Sequence, residues 1–173
     1  MLDWRDVEQG APELARLGRA RLDATRRAML ATLRRDGSPR ISPVEPCIVG
    51  GRLLAGAMTW SGKAADLRRD PRYALHGVVS GADSGEGEFE LYGRAVEADP
   101  GLRRAAGAWW SAYPPEKAVV FALRIAQAQF VAWDTDRGVM SVRQWSPQRG
   151  YNYSTRTYPK HDREARRRPL TCR

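Results

Sequence analysis

Residues 28–58 read AMLATLRRDGSPRISPVEPCIVGGRLLAGAM, and the period of this stretch decides the fold. Its apolar residues favour alternate positions, the spacing of half-buried strands rather than of a helix. The pairs Asp36-Gly37 and Gly50-Gly51 are turn dipeptides that cut the run into three. An antiparallel three-stranded meander is predicted. Pro43 and Pro46 cannot donate to a ladder, so the middle strand must sit at an edge, bulge, or turn toward a ligand there.

Upstream, Pro12 marks a helix start, and Leu14, Leu17 and Leu22 recur at roughly helical spacing with arginines opposite. This predicts an amphipathic helix over about 12–26, packed as a lid on its own barrel. Downstream, Ser61 can cap a short helix from about Gly62 to Asp70 that Pro71 closes. RYALHGVVS then reads as a strand. After a glycine-rich loop at 81–87, EFELYGRAVEA alternates more strongly than any other segment. Pro100 opens a further helix that Pro114-Pro115 stops, AVVFALRIAQAQFVAWD places Val119, Phe121, Leu123 and Ile125 on one face, and GVMSVRQWS is a last strand. Six or seven short strands with peripheral helices argue for a mainly β fold, a closed or split antiparallel barrel occupying residues 1–150. Residues 151–173 show no sustained period and are expected to be a basic, flexible tail.

The chain of 173 residues suits one core. Its net charge of +9 includes an excess of four in residues 160–173, and the basic remainder suits an anionic cofactor or weak nucleic-acid attraction. The arginine-rich helix and tail keep a basic nucleic-acid-binding module open as a function of another class, although no recognition motif accompanies them. Two cysteines, Cys47 and Cys172, give neither a disulfide framework nor a metal spacing. The charged N-terminus lacks the apolar stretch of a signal or membrane span, which predicts a cytoplasmic protein. There is no G-x-G-x-x-G and no G-x-x-x-x-G-K-[ST]. His76 and His161 sit in no defensible nucleophile or metal arrangement, so no catalytic residue is assigned.

The helix start after RLLAGAM is where chemistry is expected. A helix beginning at Gly62-Lys63 directs free N–H groups and its positive end outward, Ser61 carries a hydroxyl, and Lys63 adds a charge. Should the middle strand lie alongside, Arg40 and Ser42 project to one face, and Arg40 could grip two oxygens of the same anion. Taken locally, Lys63 also reads as a surface lysine, Arg40 as a solvent-facing strand residue and Ser61 as only a cap.

The order D-G-x-P-R-I-S, then S-x-K-x-x-x-L, then D-P-R, followed by GEFELYGRAVEADP, resembles the pyridoxamine 5'-phosphate oxidase-like split barrels over roughly two thirds of the chain. The resemblance implies an oxidoreductase with FMN as cofactor and a small-molecule substrate, working as a homodimer with its sites at the interface. By the same resemblance, Arg40, Ile41, Ser42 and Pro43 line one side of the flavin, and Gly56, Ala57, Met58 and Thr59 form the next strand. Gly56 and Ala57 would let a flat ring approach. Ser61, Gly62 and Lys63 would hold the phosphate, and Trp145 would supply a wall from the second subunit, ahead of Trp109 and Trp110. Relatives using the deazaflavin coenzyme F-420 share K-x-x-x-L-R-R-D-P-R but often carry a basic residue two positions before the lysine. Ser61 stands there in this chain, which leaves FMN ahead of F-420. A carrier that binds the cofactor without turnover is the remaining expectation. The closing R-x-H of the vitamin-B6 enzyme is poorly matched by Lys160-His161-Asp162-Arg163, so the substrate is left open.

Overall fold

A computed structural model describes residues 1–79, 87–106 and 109–157, without the side chains of Trp109 and Ser111. In chain order the elements are α1 (Trp4–Gly10), α2 (Pro12–Thr25), β1 (Ala28–Leu33), β2 (Pro39–Val44), β3 (Pro46–Val49), β4 (Arg52–Met58), α3 (Gly62–Arg69), β5 (Arg72–Gly77), β6 (Glu88–Glu97), α4 (Pro100–Ala105), a 3-10 turn (Trp109–Ala112), β7 (Ala118–Asp134), β8 (Val139–Ser146) and β9 (Gly150–Thr157). The loop expected to flex at 81–87 falls, except for Gly87, outside the described residues.

All strand pairs are antiparallel, along the path β2-β1-β5-β6-β7-β4-β3. The two ends of this path, β2 and β3, follow one another in the chain with only Glu45 between them, so the sheet must curl round to bring its ends together. That is the mainly β split barrel the alternation implied. It also corrects the expected meander: β2 pairs with β1 and β3 with β4, and the ladder breaks between Pro43 and Pro46, the two residues that cannot donate.

Strand β7, at 17 residues, is the spine. It pairs with β6 over most of its length, with β4 at its start and with β8 at its end. The register between β6 and β7 slips at Tyr92/Gly93, where a Cβ on Gly93 would lie 1.9 Å from the Arg124 carbonyl oxygen. Inside the barrel, Val119, Phe121, Leu123 and Ile125 join Leu30, Leu53, Leu75 and Leu91 in the main core.

Helices α1 and α2 pack on each other and on the strands β4 to β7. Leu14, Ala15 and Leu22 of α2 are buried as the lid reading required, and Gly18 lies against the Phe89 ring. The short α1, which the sequence reading missed, buries Trp4 edge-on against Phe89 with centroids 6.0 Å apart. A second correction concerns the tail. Residues 150–157 form β9, paired along its whole length with β8, because Tyr151, Tyr153, Thr155 and Thr157 alternate as β-forming residues. Nine strands rather than six or seven are therefore present among the described residues; 158–173 lie outside them. No helix of the described residues is long and apolar enough to cross a membrane.

Candidate functional site

The site begins with the N-terminus of α3. Ser61, in extended conformation, caps it: its hydroxyl oxygen accepts from Ala64 N–H at 3.4 Å and its hydrogen goes to the Met58 carbonyl at 2.7 Å. Ser61 is thereby spent on the turn and the cap. The amides of Gly62 and Lys63 belong to the first turn, which has no carbonyl a turn earlier to receive them. Thr59 anchors the entry by donating to the Glu116 carbonyl at 2.7 Å.

Arg40 reaches this turn from β2, and Lys63 reaches from it to β2. Lys63 Nζ donates to the Pro43 carbonyl at 2.7 Å, linking α3 to β2, and partial burial pulls its ammonium below the ordinary lysine value. The Arg40 guanidinium lies on Gly62: a Cβ there would come 2.7 Å from Arg40 Cζ and 2.9 Å from both terminal nitrogens. A side chain at this position would therefore make the guanidinium shift.

A residue the sequence reading passed over completes the arrangement. Asp66, 3% exposed, accepts from Arg40 Nε at 2.7 Å and from Thr32 Oγ1 at 3.0 Å on one oxygen, and from Arg69 at 3.3 Å on the other. Burial alone would raise its carboxyl, but the bond from Arg40, then that from Thr32, outweigh it and hold the group below the usual carboxylate value. The available signal was spacing: Asp66 stands four residues after Gly62, on the same helix face.

The remaining expected residues divide. On β2, Arg40 and Ser42 pair opposite the buried Thr32 and Leu30, while Ile41 and Pro43 belong to the other side and Ile41 is 68% exposed. Strand alternation thus forbids all four side chains from lining one wall. On β4, Ala57 faces the main core, and Gly56 faces outward beneath the Trp110 indole, where a Cβ would meet Trp110 Cε3 at 2.3 Å. The flat ring approaching Gly56 closely is the chain's own. Met58 is partly buried at the end of β4.

Between these elements opens a cleft of about 320 Å³ lined by Arg27, Pro43, Val44, Glu45, Gly56 and Lys63. It sits at the seam where β2 and β3 part. Trp145 does not join it within the chain; the indole is buried against Gly10 of α1 and borders a separate groove of about 530 Å³ with Tyr92, Gln144, Arg149 and Asn152. The side chain of Trp109 lies outside the described residues. On the outer face of β5 and β6, the ligand-type atoms of His76, Glu88 and Glu90 lie within 4.8 Å of one another, a grouping their sequence separation hid.

The sequence model of pyridoxamine 5'-phosphate oxidase matches residues 17–133, which contain every element of the seam. No curated protein matches. Among solved structures, PhzG from Burkholderia lata 383 superposes with a TM-score of 0.63 at 14% identity, over 91% of this chain and 98% of its own. A pyridoxamine 5'-phosphate oxidase-related, FMN binding protein from Nostoc punctiforme PCC 73102 gives 0.55 at 13% identity, over 88% and 96%. A heme binding protein from Mycobacterium smegmatis gives 0.53 at 16%, over 83% and 88%. At such identities the likeness is one of fold.

Proposed function

Because the chain belongs to the pyridoxamine 5'-phosphate oxidase family, we propose that it is a flavin-dependent oxidoreductase that holds FMN with its phosphate at the first turn of α3. One observation carries this reading: the Arg40 guanidinium from β2 lies on Gly62, the first residue of α3, with Lys63 next to it in the same first turn, whose amides have no carbonyl a turn earlier to receive them. The donor set fits a phosphate monoester, since it offers a fork, an ammonium and backbone N–H groups within one turn. A bound flavin would itself supply the electron-transfer chemistry.

The chain's own work is to bind, orient and exclude water. Lys63 ties α3 to β2 at Pro43, and the cleft beside it is walled by Pro43, Val44 and Gly56 together with the charged Arg27 and Glu45. Ser61 in place of a further basic residue favours FMN over the deazaflavin coenzyme F-420. The proposal includes a homodimer. In its favour are Tyr92, Tyr151 and Tyr153, exposed by 39%, 39% and 52%, and the groove bordered by Trp145, which would face a partner's site. Large exposed aromatics are characteristic of association surfaces.

The test is a titration. Purified protein should bind FMN with a flavin absorbance spectrum, and Lys63→Met should weaken FMN about 10- to 100-fold, the loss of one charge-assisted hydrogen bond of roughly 1.5–3 kcal/mol. Riboflavin, which lacks the phosphate, should bind both proteins alike. Unaltered FMN affinity in Lys63→Met would remove the phosphate seat, and retention of neither FMN nor F-420 would end the oxidoreductase reading.

A further inference from the structure

The phosphate seat contains a buried negative charge, and its placement has a use. Thr32 and Arg40 are direct cross-strand partners on β1 and β2, so their side chains leave the sheet on the same side and reach Asp66 together. Asp66 takes only the Nε of Arg40; the terminal nitrogens lie over Gly62, one helical turn nearer the N-terminus. Gly62 and Asp66 are four residues apart, about 6 Å along the axis, close to the reach of one guanidinium held lengthwise. Arg69, from the far side, fastens the other carboxylate oxygen and also donates to the Leu33 carbonyl.

We propose that Asp66 is a positioning residue: by holding Arg40 at Nε from a buried, triply bonded site, it presents the two terminal nitrogens of Arg40 to a phosphate at the first turn of α3. This rests on the reading of that turn as the cofactor's phosphate seat. It assigns discrimination for the phosphorylated flavin to a residue that touches no ligand. The geometry also explains why the position next to the lysine is glycine, since any Cβ at residue 62 would occupy the track along which the guanidinium lies. Arginine is the residue such a division of labour needs, because a lysine ammonium offers a single nitrogen and cannot serve Asp66 and a ligand from opposite ends.

Binding of FMN and of riboflavin to the full chain, followed by flavin fluorescence, separates the alternatives. Wild type should prefer FMN over riboflavin; Asp66→Asn should lower that preference at least tenfold with riboflavin affinity unchanged. Adding Asp66→Asn to Arg40→Ala should change the preference no further, because Asp66 acts through Arg40. Equal weakening of both flavins by Asp66→Asn would show a merely structural role and overturn the inference, as would a full additional loss in the double variant. If Asp66→Asn does not fold, Arg40→Lys serves instead: it should lose as much preference as Arg40→Ala, and retention of the wild-type preference would refute the division between Nε and the terminal nitrogens. A wild type with no preference for FMN would sink the phosphate seat itself, an outcome distinct from a wild-type preference that Asp66→Asn leaves intact.

Discussion

Replacing Gly62 with alanine asks whether Arg40 is seated as described. Gly62 is the first residue of α3, and it has no positive φ, so its backbone accepts alanine. By itself the substitution should stabilise the folded state by about 0.4–1 kcal/mol, by restricting the unfolded chain. Against this, the new Cβ would sit 2.7 Å from Arg40 Cζ, where real contacts need well over 3 Å. The guanidinium is the end of a flexible side chain, yet it is tied at Nε to the buried Asp66, so moving it sacrifices a charged hydrogen bond of roughly 1.5–3 kcal/mol. The Arg40 side chain is 30% exposed, and solvent returns part of that loss. Gly62→Ala is therefore expected to destabilise by about 1 kcal/mol, roughly 2–4 °C in a domain of this size. In an Arg40→Ala background the obstacle is gone, and the same substitution should stabilise by about 0.4–1 kcal/mol. Urea unfolding of the four proteins without ligand measures both signs. A stabilisation of the same size in both backgrounds would refute the contact between Arg40 and Gly62.

Two further outcomes follow from the same geometry. Asp66 has a folded-state pKa below its unfolded value, so it contributes stability that is complete above about pH 4 and disappears as pH falls through the folded value; acid unfolding of Asp66→Asn should accordingly show a shallower loss below pH 4 than wild type, by circular dichroism. Trp110, fully buried over Gly56 and packed among Leu54, Ala118 and Val120, should cost about 3–5 kcal/mol when cut to alanine, read as a urea midpoint shift.

The fold was legible wherever local chemistry decides it. Gly37 and Gly51 do adopt the positive φ that their turn dipeptides demanded, Ser61 caps α3, and Asp99 caps the helix that Pro100 opens. What escaped was pairing between distant segments. Pro43 and Pro46 showed that the ladder must break, but which neighbour each half would find depends on the closure of the sheet, a property of all seven strands. Strand β9 escaped because its alternation is of tyrosine and threonine rather than of apolar residues, and all its residues remain exposed. Helix α1, seven residues long, is too short to declare a period and depends on burying Trp4 and Val7.

The candidate site shows the same boundary at the scale of single residues. Sequence spacing brings Ser61, Gly62 and Lys63 to one helix end, and strand alternation sends Arg40 and Ser42 to one face, but that reading named no acid beside the two cations. The fold instead sets a buried carboxylate behind one of them. Two free cations in the absence of ligand would repel one another and wander over several rotamers, and binding would have to order them at a cost of about 0.5–1.5 kcal/mol for each side chain. With Arg40 held at Asp66 and Lys63 on the Pro43 carbonyl, that ordering is already done in the free protein. The restraint asks nothing of the ligand beyond an anionic group small enough for one helical turn, so on the proposed reading it would select a phosphate and leave the choice of substrate to other parts of the cleft.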